Sequence, residues 1–304
     1  MKKILLLIAT EKGYVSLKRL IKQRGKDSVG CVATFHEKDV ARDWAYDIEI
    51  LCRENDIHFF WWNDIKDRIH DVIWKNHITG VVAISWKYYI PLEINEGLED
   101  DLVIFHDSML PKYRGFAPTP TAMINGEREI GITALFASEQ IDCGDIILQK
   151  KFLLHENQYI ADVIKREAEL YGDMLMEVIE GMEAGNLNRI PQNHSEASYS
   201  LWRDMEDCHI NWNRDARDIY NFIRGLGDPY LGAYTFVRDR KMVIDRASIM
   251  DYDLDFAVRD AGKIWEICDG CPIVVCGRGL LKIEKAHYED GQPVVFHKLR
   301  VRLK

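Results

Sequence analysis

The sequence has no run approaching the ~20 apolar residues that a membrane helix needs, so no membrane partner is expected. No Gly-x-Gly-x-x-Gly and no Gly-x-x-x-x-Gly-Lys-Ser/Thr follows any strand-like segment, which argues against dinucleotide and P-loop phosphate sites. No internal repeat or low-complexity tract appears. Seven cysteines in 304 residues do not form a disulfide framework and fit a reduced, cytoplasmic setting. Cys268-Asp269-Gly270-Cys271 with Cys276 resembles part of a zinc site. A fourth ligand is missing nearby and the segment alternates like a hairpin with Asp-Gly at its turn, so no metal is expected. Cys143 has no evident base partner and is not expected to act as a nucleophile. An excess of basic residues is also lacking. Net charge is −9, and residues 201–304 hold 17 basic and 17 acidic side chains, whereas a nucleic-acid-gripping domain is visibly basic. Met1-Lys2-Lys3 before Ile4 to Ala9 lacks the apolar length and the small-residue cleavage site of a signal peptide and reads as a buried first strand.

What the chain does have is 47% hydrophobic residues, enough for packed cores, over a length that suits one large domain and one smaller one. The first half alternates strand and helix patterns. Strands are expected at 3–9, 28–35, 58–61, 80–85 and 101–105, and helices at 13–23, 44–55 and 65–76. This rhythm predicts an α/β fold with a Rossmann-like, doubly wound parallel sheet. A long helix is expected over 160–185 and a polar linker or arm over 186–200. Beyond it, a short helix at 215–224 precedes strand-like runs at 232–237, 242–247, 263–268, 273–276, 280–284 and 299–303. Many short strands with Gly and Asp turns predict a smaller, mainly β, OB-like domain. The expected division is a catalytic domain over 1–190, a linker over 191–205 and a C-terminal domain over 206–304.

The densest cluster of chemistry is Phe105-His106-Asp107-Ser108-Met109-Leu110-Pro111-Lys112-Tyr113-Arg114-Gly115, followed by Gln140-Ile141-Asp142-Cys143-Gly144-Asp145. His106 falls where an apolar strand ends, and Asp142 in a tight turn before another. Carboxyl ends of strands in an open α/β sheet are where ligands bind. A His and an Asp meeting there form a proton-handling pair. After strand 80–85 comes Trp86-Lys87-Tyr88-Tyr89-Ile90-Pro91. The aromatic rings of Trp86 and Tyr88 either flank a flat heterocycle or pack under the loop.

The pattern His-x-Ser-x-Leu-Pro-x-Tyr-Arg-Gly at 106–115, with the Asp142 turn, Ala117-Pro118, Ile124-Asn125-Gly126-Glu127 and Gly131-Ile132-Thr133, resembles the folate-dependent N-formyltransferases over nearly the whole chain. The resemblance implies transfer of a formyl group from 10-formyltetrahydrofolate to an amine, without a metal. It implies catalytic roles for His106, Asp142 and Ser108. It implies a folate pocket at Trp86, Tyr88, Ile90, Pro91, Leu110, Ile141 and Asp142, and acceptor contacts at Lys112, Tyr113, Arg114 and Gly115. Lys112 and Arg114 are equally readable as solvated charges. One departure stands out: Ile104 occupies the place of a family Asn whose amide supports the oxyanion, and Ile donates no hydrogen bond. Backbone amides near Asp107 and Ser108, the Ser108 hydroxyl or a protonated His106 are the available substitutes. The run from Ser200 to Tyr234 resembles the second domain of methionyl-tRNA formyltransferases and of sugar-nucleotide N-formyltransferases. The balanced charge disfavours tRNA, and the overall layout resembles the sugar-nucleotide N-formyltransferases; that resemblance implies a UDP- or dTDP-linked 4-amino-4,6-dideoxyhexose as acceptor and a homodimer as the assembly, and the His106-Asp107-Ser108 variant resembles those of surface-sugar routes such as that of pseudaminic acid. Methionyl-tRNA formylation, or a homologue that binds folate or nucleotide without turnover, is the alternative.

Overall fold

The computed structural model describes residues 2–38 and 40–304. The chain divides into two compact units. The first comprises Met1–Pro118, Glu129–Leu154 and Asp162–Leu201; the second comprises Thr119–Arg128, His155–Ala161 and Trp202–Lys304.

In the first unit the elements run β1 (Ile4–Ile8), α1 (Thr10–Arg24), β2 (Val29–Thr34), α2 (Ala45–Glu54), β3 (Phe59–Trp61), α3 (Trp62–Ile65), α4 (Ile69–Lys75), β4 (Gly80–Ile84), β5 (Val103–His106) and β6 (Arg114–Gly115). After α5 (Pro118–Ile124) come β7 (Glu129–Phe136), β8 (Ile146–Leu153), α6 (Ile160–Ala184) and β9 (Tyr199–Ser200). Seven strands form one sheet in the order β3-β2-β1-β4-β5-β7-β8. The expected parallel pairing holds from β3 to β5. At the other edge β7 and β8 are antiparallel, so the sheet is mixed. Both faces are covered, which is why β1 reads as an unbroken apolar run. Ile4, Leu6 and Ile8 join one core cluster, and Leu5 and Leu7 join another. The apolar stripe of α6, with Tyr171, Met174, Leu175, Val178, Ile179 and Met182, packs into the first of these, at the spacing an amphipathic helix uses.

The second unit holds α7 (Ala216–Leu226) and a five-stranded antiparallel sheet. Its strands are β10 (Tyr234–Val237), β11 (Arg240–Ile249), β12 (Ile264–Cys268), β13 (Cys271–Val275) and β14 (Leu280–Tyr288). The mainly β character matches the expectation. Asp269 and Gly270, at φ 53° and 77°, form the turn between β12 and β13, the conformation a tight hairpin needs.

Two expectations need correction. The helix expected over 65–76 is shorter, α4, and begins after a 3-10 turn at Lys66–Arg68 that follows α3. The run 299–303 contributes isolated bridges, Val237 to Leu303 and Lys263 to Arg302, rather than a strand. The polar stretch 186–200, expected as a linker or arm, carries β9, which pairs with β6.

Candidate active site

His106 is the last residue of β5, at the end of the parallel part of the sheet. Its imidazole is buried at 8% exposure. Nε2–H donates to the Tyr113 carbonyl at 2.8 Å; a carbonyl only accepts, so this nitrogen carries the proton. Nδ1 lies 3.5 Å from Asp142 Oδ2. Each ring nitrogen thus faces an acceptor, and protonation of Nδ1 turns the second approach into an ion pair. Asp142 sits at φ 55° in the turn between β7 and β8. The same Oδ2 accepts the Gly115 N–H at 2.8 Å. The strand end and the distant turn are therefore brought together as the sequence suggested.

The loop between β5 and β6 is closed from within. Ser108 Oγ donates to the Lys112 carbonyl at 2.6 Å, and Thr133 Oγ1 donates to the Ser108 carbonyl at 2.6 Å. Gln149 Nε2 donates to the Leu110 carbonyl at 3.0 Å and to Thr133 Oγ1 at 2.8 Å. The Ser108 hydroxyl proton is thus engaged in shaping the loop. Ile104 packs against Leu110, Leu135 and Ile146, an apolar floor where the family amide would stand.

The residues expected to touch an acceptor separate. Lys112 is exposed, and Tyr113 and Gly115 are half-buried. Arg114 is 1% exposed, and its guanidinium donates to Gln192 Oε1 and to His194 Nδ1. The side chain is thus enclosed by the arm and not exposed.

Trp86 packs edge-on against Phe35 and Trp62, each with ring centroids 5.0 Å apart. Tyr88 leans on Phe35 at 4.8 Å and stays 41% exposed. Ile90 and Leu110 are buried and Ile141 is exposed. Among the described residues, Trp86 Nε1 is buried with no hydrogen-bond partner. An aromatic wall with an unsatisfied N–H suits a flat heterocycle that carries acceptors, since a buried donor left unpaired is costly.

Sequence reasoning missed a buried charge cluster beside His106. Lys12 Nζ lies 2.6 Å from Asp107 Oδ2 and 2.8 Å from Glu167 Oε2, and the Tyr171 hydroxyl donates to Asp107 Oδ1. Burial pushes the Asp107 carboxyl up, but Lys12 and the Tyr171 hydrogen bond outweigh it and hold the group below its ordinary value. Burial, then the Asp107 charge, raises the Tyr171 hydroxyl well above its usual range and keeps it a donor. Lys12 on α1, Asp107 after β5, and Glu167 and Tyr171 on α6 come from three distant segments, and only the last two share a helical spacing. Burial pushes the Cys31, Cys52 and Cys276 thiols up to about 12, which leaves them inert at neutral pH.

A formyl transferase family model matches residues 8–179, and a formyl transferase C-terminal domain model matches residues 204–299. The chain belongs to the formyltransferase family and is an enzyme of that family. It is 29% identical over 300 residues to the methionyl-tRNA formyltransferase of Clostridium tetani (strain Massachusetts / E88), covering 97% of this chain and 94% of the relative. Among solved structures it resembles WlaRD, a sugar 3N-formyl transferase crystallised in the presence of dTDP and 5-N-formyl-THF, with TM-score 0.69 and 18% identity over 98% of this chain and 99% of that one. It also resembles the N-formyltransferase from Helicobacter canadensis in complex with folinic acid and dTDP-3-aminofucose, with TM-score 0.68 and 18% identity over 97% and 100%.

Proposed function

We propose that this protein transfers a formyl group from 10-formyltetrahydrofolate to the amine of a nucleotide-linked amino sugar. The observation that carries formyl transfer is the His106–Asp142 approach of 3.5 Å, in the same unit as the Trp86–Pro91 loop. Bound folate supplies an activated formyl group. Trp86, Tyr88, Ile90, Pro91, Leu110, Ile141 and the Asp142 turn would hold it. His106 stabilises the negative charge that develops on the formyl oxygen as the amine attacks, a role usually worth several kcal/mol of barrier. Asp142 holds the ring's orientation and takes up the amine proton directly or through water, and the formyl C–N bond to the folate breaks as its nitrogen leaves with a proton. Lys112 is the exposed cation on the loop after β5 and suits an anionic acceptor.

The acceptor reading is supported by residues 201–304, which hold 17 basic and 17 acidic side chains, and by the likeness to two sugar N-formyltransferases over nearly their whole length. The identity to methionyl-tRNA formyltransferases favours the second reading, a tRNA acceptor. The test is formyl transfer and binding with a panel of UDP-, dTDP- and CMP-amino sugars and with initiator methionyl-tRNA, across a salt series. A sugar nucleotide presents two phosphates and gives a shallow salt dependence, whereas a tRNA gripped by several cations gives a steep one. Strongly salt-sensitive formylation of methionyl-tRNA, with no turnover of any amino sugar, would overturn the sugar assignment.

A further inference from the structure

The arm that follows α6 is built into the active site. Ile190 pairs with Ile146 through backbone hydrogen bonds of 2.8 and 3.0 Å, which anchors the arm at the start of β8. Gln192, 6% exposed, then turns its amide toward the Asp142 turn. Its Nε2 donates to the Asp142 carbonyl at 2.8 Å and to the Gly144 carbonyl at 2.7 Å. Its Oε1 accepts from Arg114 Nε at 3.2 Å and from the terminal guanidinium nitrogen at 2.6 Å. That guanidinium also donates to His194 Nδ1 at 3.1 Å. Among the described residues Arg114 makes no ion pair with a carboxylate. A buried cation held only by neutral acceptors costs stability, so its place under the site calls for a reason.

Asp142 is consequently held from both ends, with its carbonyl on Gln192 and its carboxylate on the Gly115 N–H. Farther along the arm, Ser198 fixes the other side of the imidazole. Tyr113 N–H donates to Ser198 Oγ at 3.0 Å, and Arg114 N–H donates to the Ser198 carbonyl at 2.9 Å. The Ser200 hydroxyl donates to the Tyr113 carbonyl at 3.3 Å, the same oxygen that receives His106 Nε2–H. Both acceptors flanking His106 are therefore set by residues 192–200.

We propose that Gln192, gripped by Arg114, is a positioning residue for formyl transfer: it fixes the turn that carries Asp142, and so the separation of Asp142 from His106. The proposal rests on the formyl-transfer reading of that pair. Gln192→Glu is the discriminating variant. It keeps an acceptor for Arg114 while removing both N–H donors to the turn, so the buried cation is not left without a partner. The expected result is a fall in kcat of about tenfold or more, as for other small misplacements of a catalytic group, with the KM for the folate donor within about twofold.

Two further measurements separate positioning from general damage. In the Asp142→Asn background, measured by single turnover, the effect of Gln192→Glu should shrink to within about twofold, because a residue acting through Asp142 loses its lever. In the ligand-free protein, hydrogen exchange at the Gly115 amide should speed up in Gln192→Glu while the amides of β7 keep their protection. An unchanged kcat, or an equal loss in both backgrounds, overturns the proposal. Absence of formyl transfer by the wild type overturns the reading of the site instead, and the Gly115 exchange then still reports whether Gln192 governs the turn.

Discussion

Replacing Lys12 with Met removes the cation that bridges two carboxylates beside His106. Lys12 is 5% exposed and Glu167 fully buried, with ammonium-to-oxygen distances of 2.6 Å to Asp107 and 2.8 Å to Glu167. Removing one partner of a buried ion pair costs roughly 3–5 kcal/mol, because the charge left behind is poorly solvated. The Asp107 side chain is 23% exposed and keeps the Tyr171 donor, so the lower end applies, about 3 kcal/mol. For a unit of this size that corresponds to a drop of roughly 6–12 °C in the melting temperature. The pH dependence follows from the Asp107 carboxyl, which is held below its ordinary value in the folded state. Its contribution is complete above the unfolded value of about 4 and is lost as pH falls through the lower folded value. Lys12→Met releases that hold, so the deficit is largest near neutral pH and narrows on acidification. Urea unfolding of wild type and variant, followed by circular dichroism at pH 7 and at pH ~3.5, measures both claims. A deficit under about 1 kcal/mol at pH 7, or one equal at the two pH values, would refute the assignment of Lys12 as the keystone of this cluster.

Much of this arrangement was legible in sequence because it is local. Alternating apolar strands and amphipathic helices placed β1 to β5, and the strand end at His106 and the turn at Asp142 could be recognised from neighbouring residues. The antiparallel β7 was harder. Ile130 to Phe136 is an almost continuously buried run, without the two-residue alternation that marks a half-exposed strand. The support around the pair was not legible at all. Arg114 reads as an exposed cation in a Lys-Tyr-Arg stretch, and only the tertiary structure encloses it with Gln192, 78 residues away. Gln192 sits in polar sequence that carries the composition of a linker. Polar side chains that hydrogen-bond across such separations leave no periodicity behind, whereas the residues that do the chemistry sit in compact motifs.

His106→Ala and Asp142→Asn should each lower turnover by about a hundredfold or more with an unchanged fold by circular dichroism; activity within a few-fold of the parent for both would remove them from the chemistry. Gly115→Ala should lose activity through the backbone. Gly115 is at φ 100°, and an added Cβ would lie 2.6 Å from the Ser200 carbonyl oxygen. The strain, about 1–3 kcal/mol, opens the β6–β9 pairing and shifts the N–H that Asp142 accepts; full activity in this variant would sink the role given to that hydrogen bond. The last prediction concerns Ile104. Were the missing family amide uncompensated, Ile104→Asn would speed turnover by roughly ten- to a hundredfold, as a donor is restored. The side chain, however, packs against Leu110, Leu135 and Ile146, and His106 already stands beside Asp142 at the strand end. The expected outcome is therefore a stability loss of about 1–3 kcal/mol from burying an amide on an apolar floor, with no gain in rate. Thermal melts and turnover on the same preparation decide it: a tenfold faster variant that melts with the wild type would mean that the apolar floor, and not His106, sets the barrier.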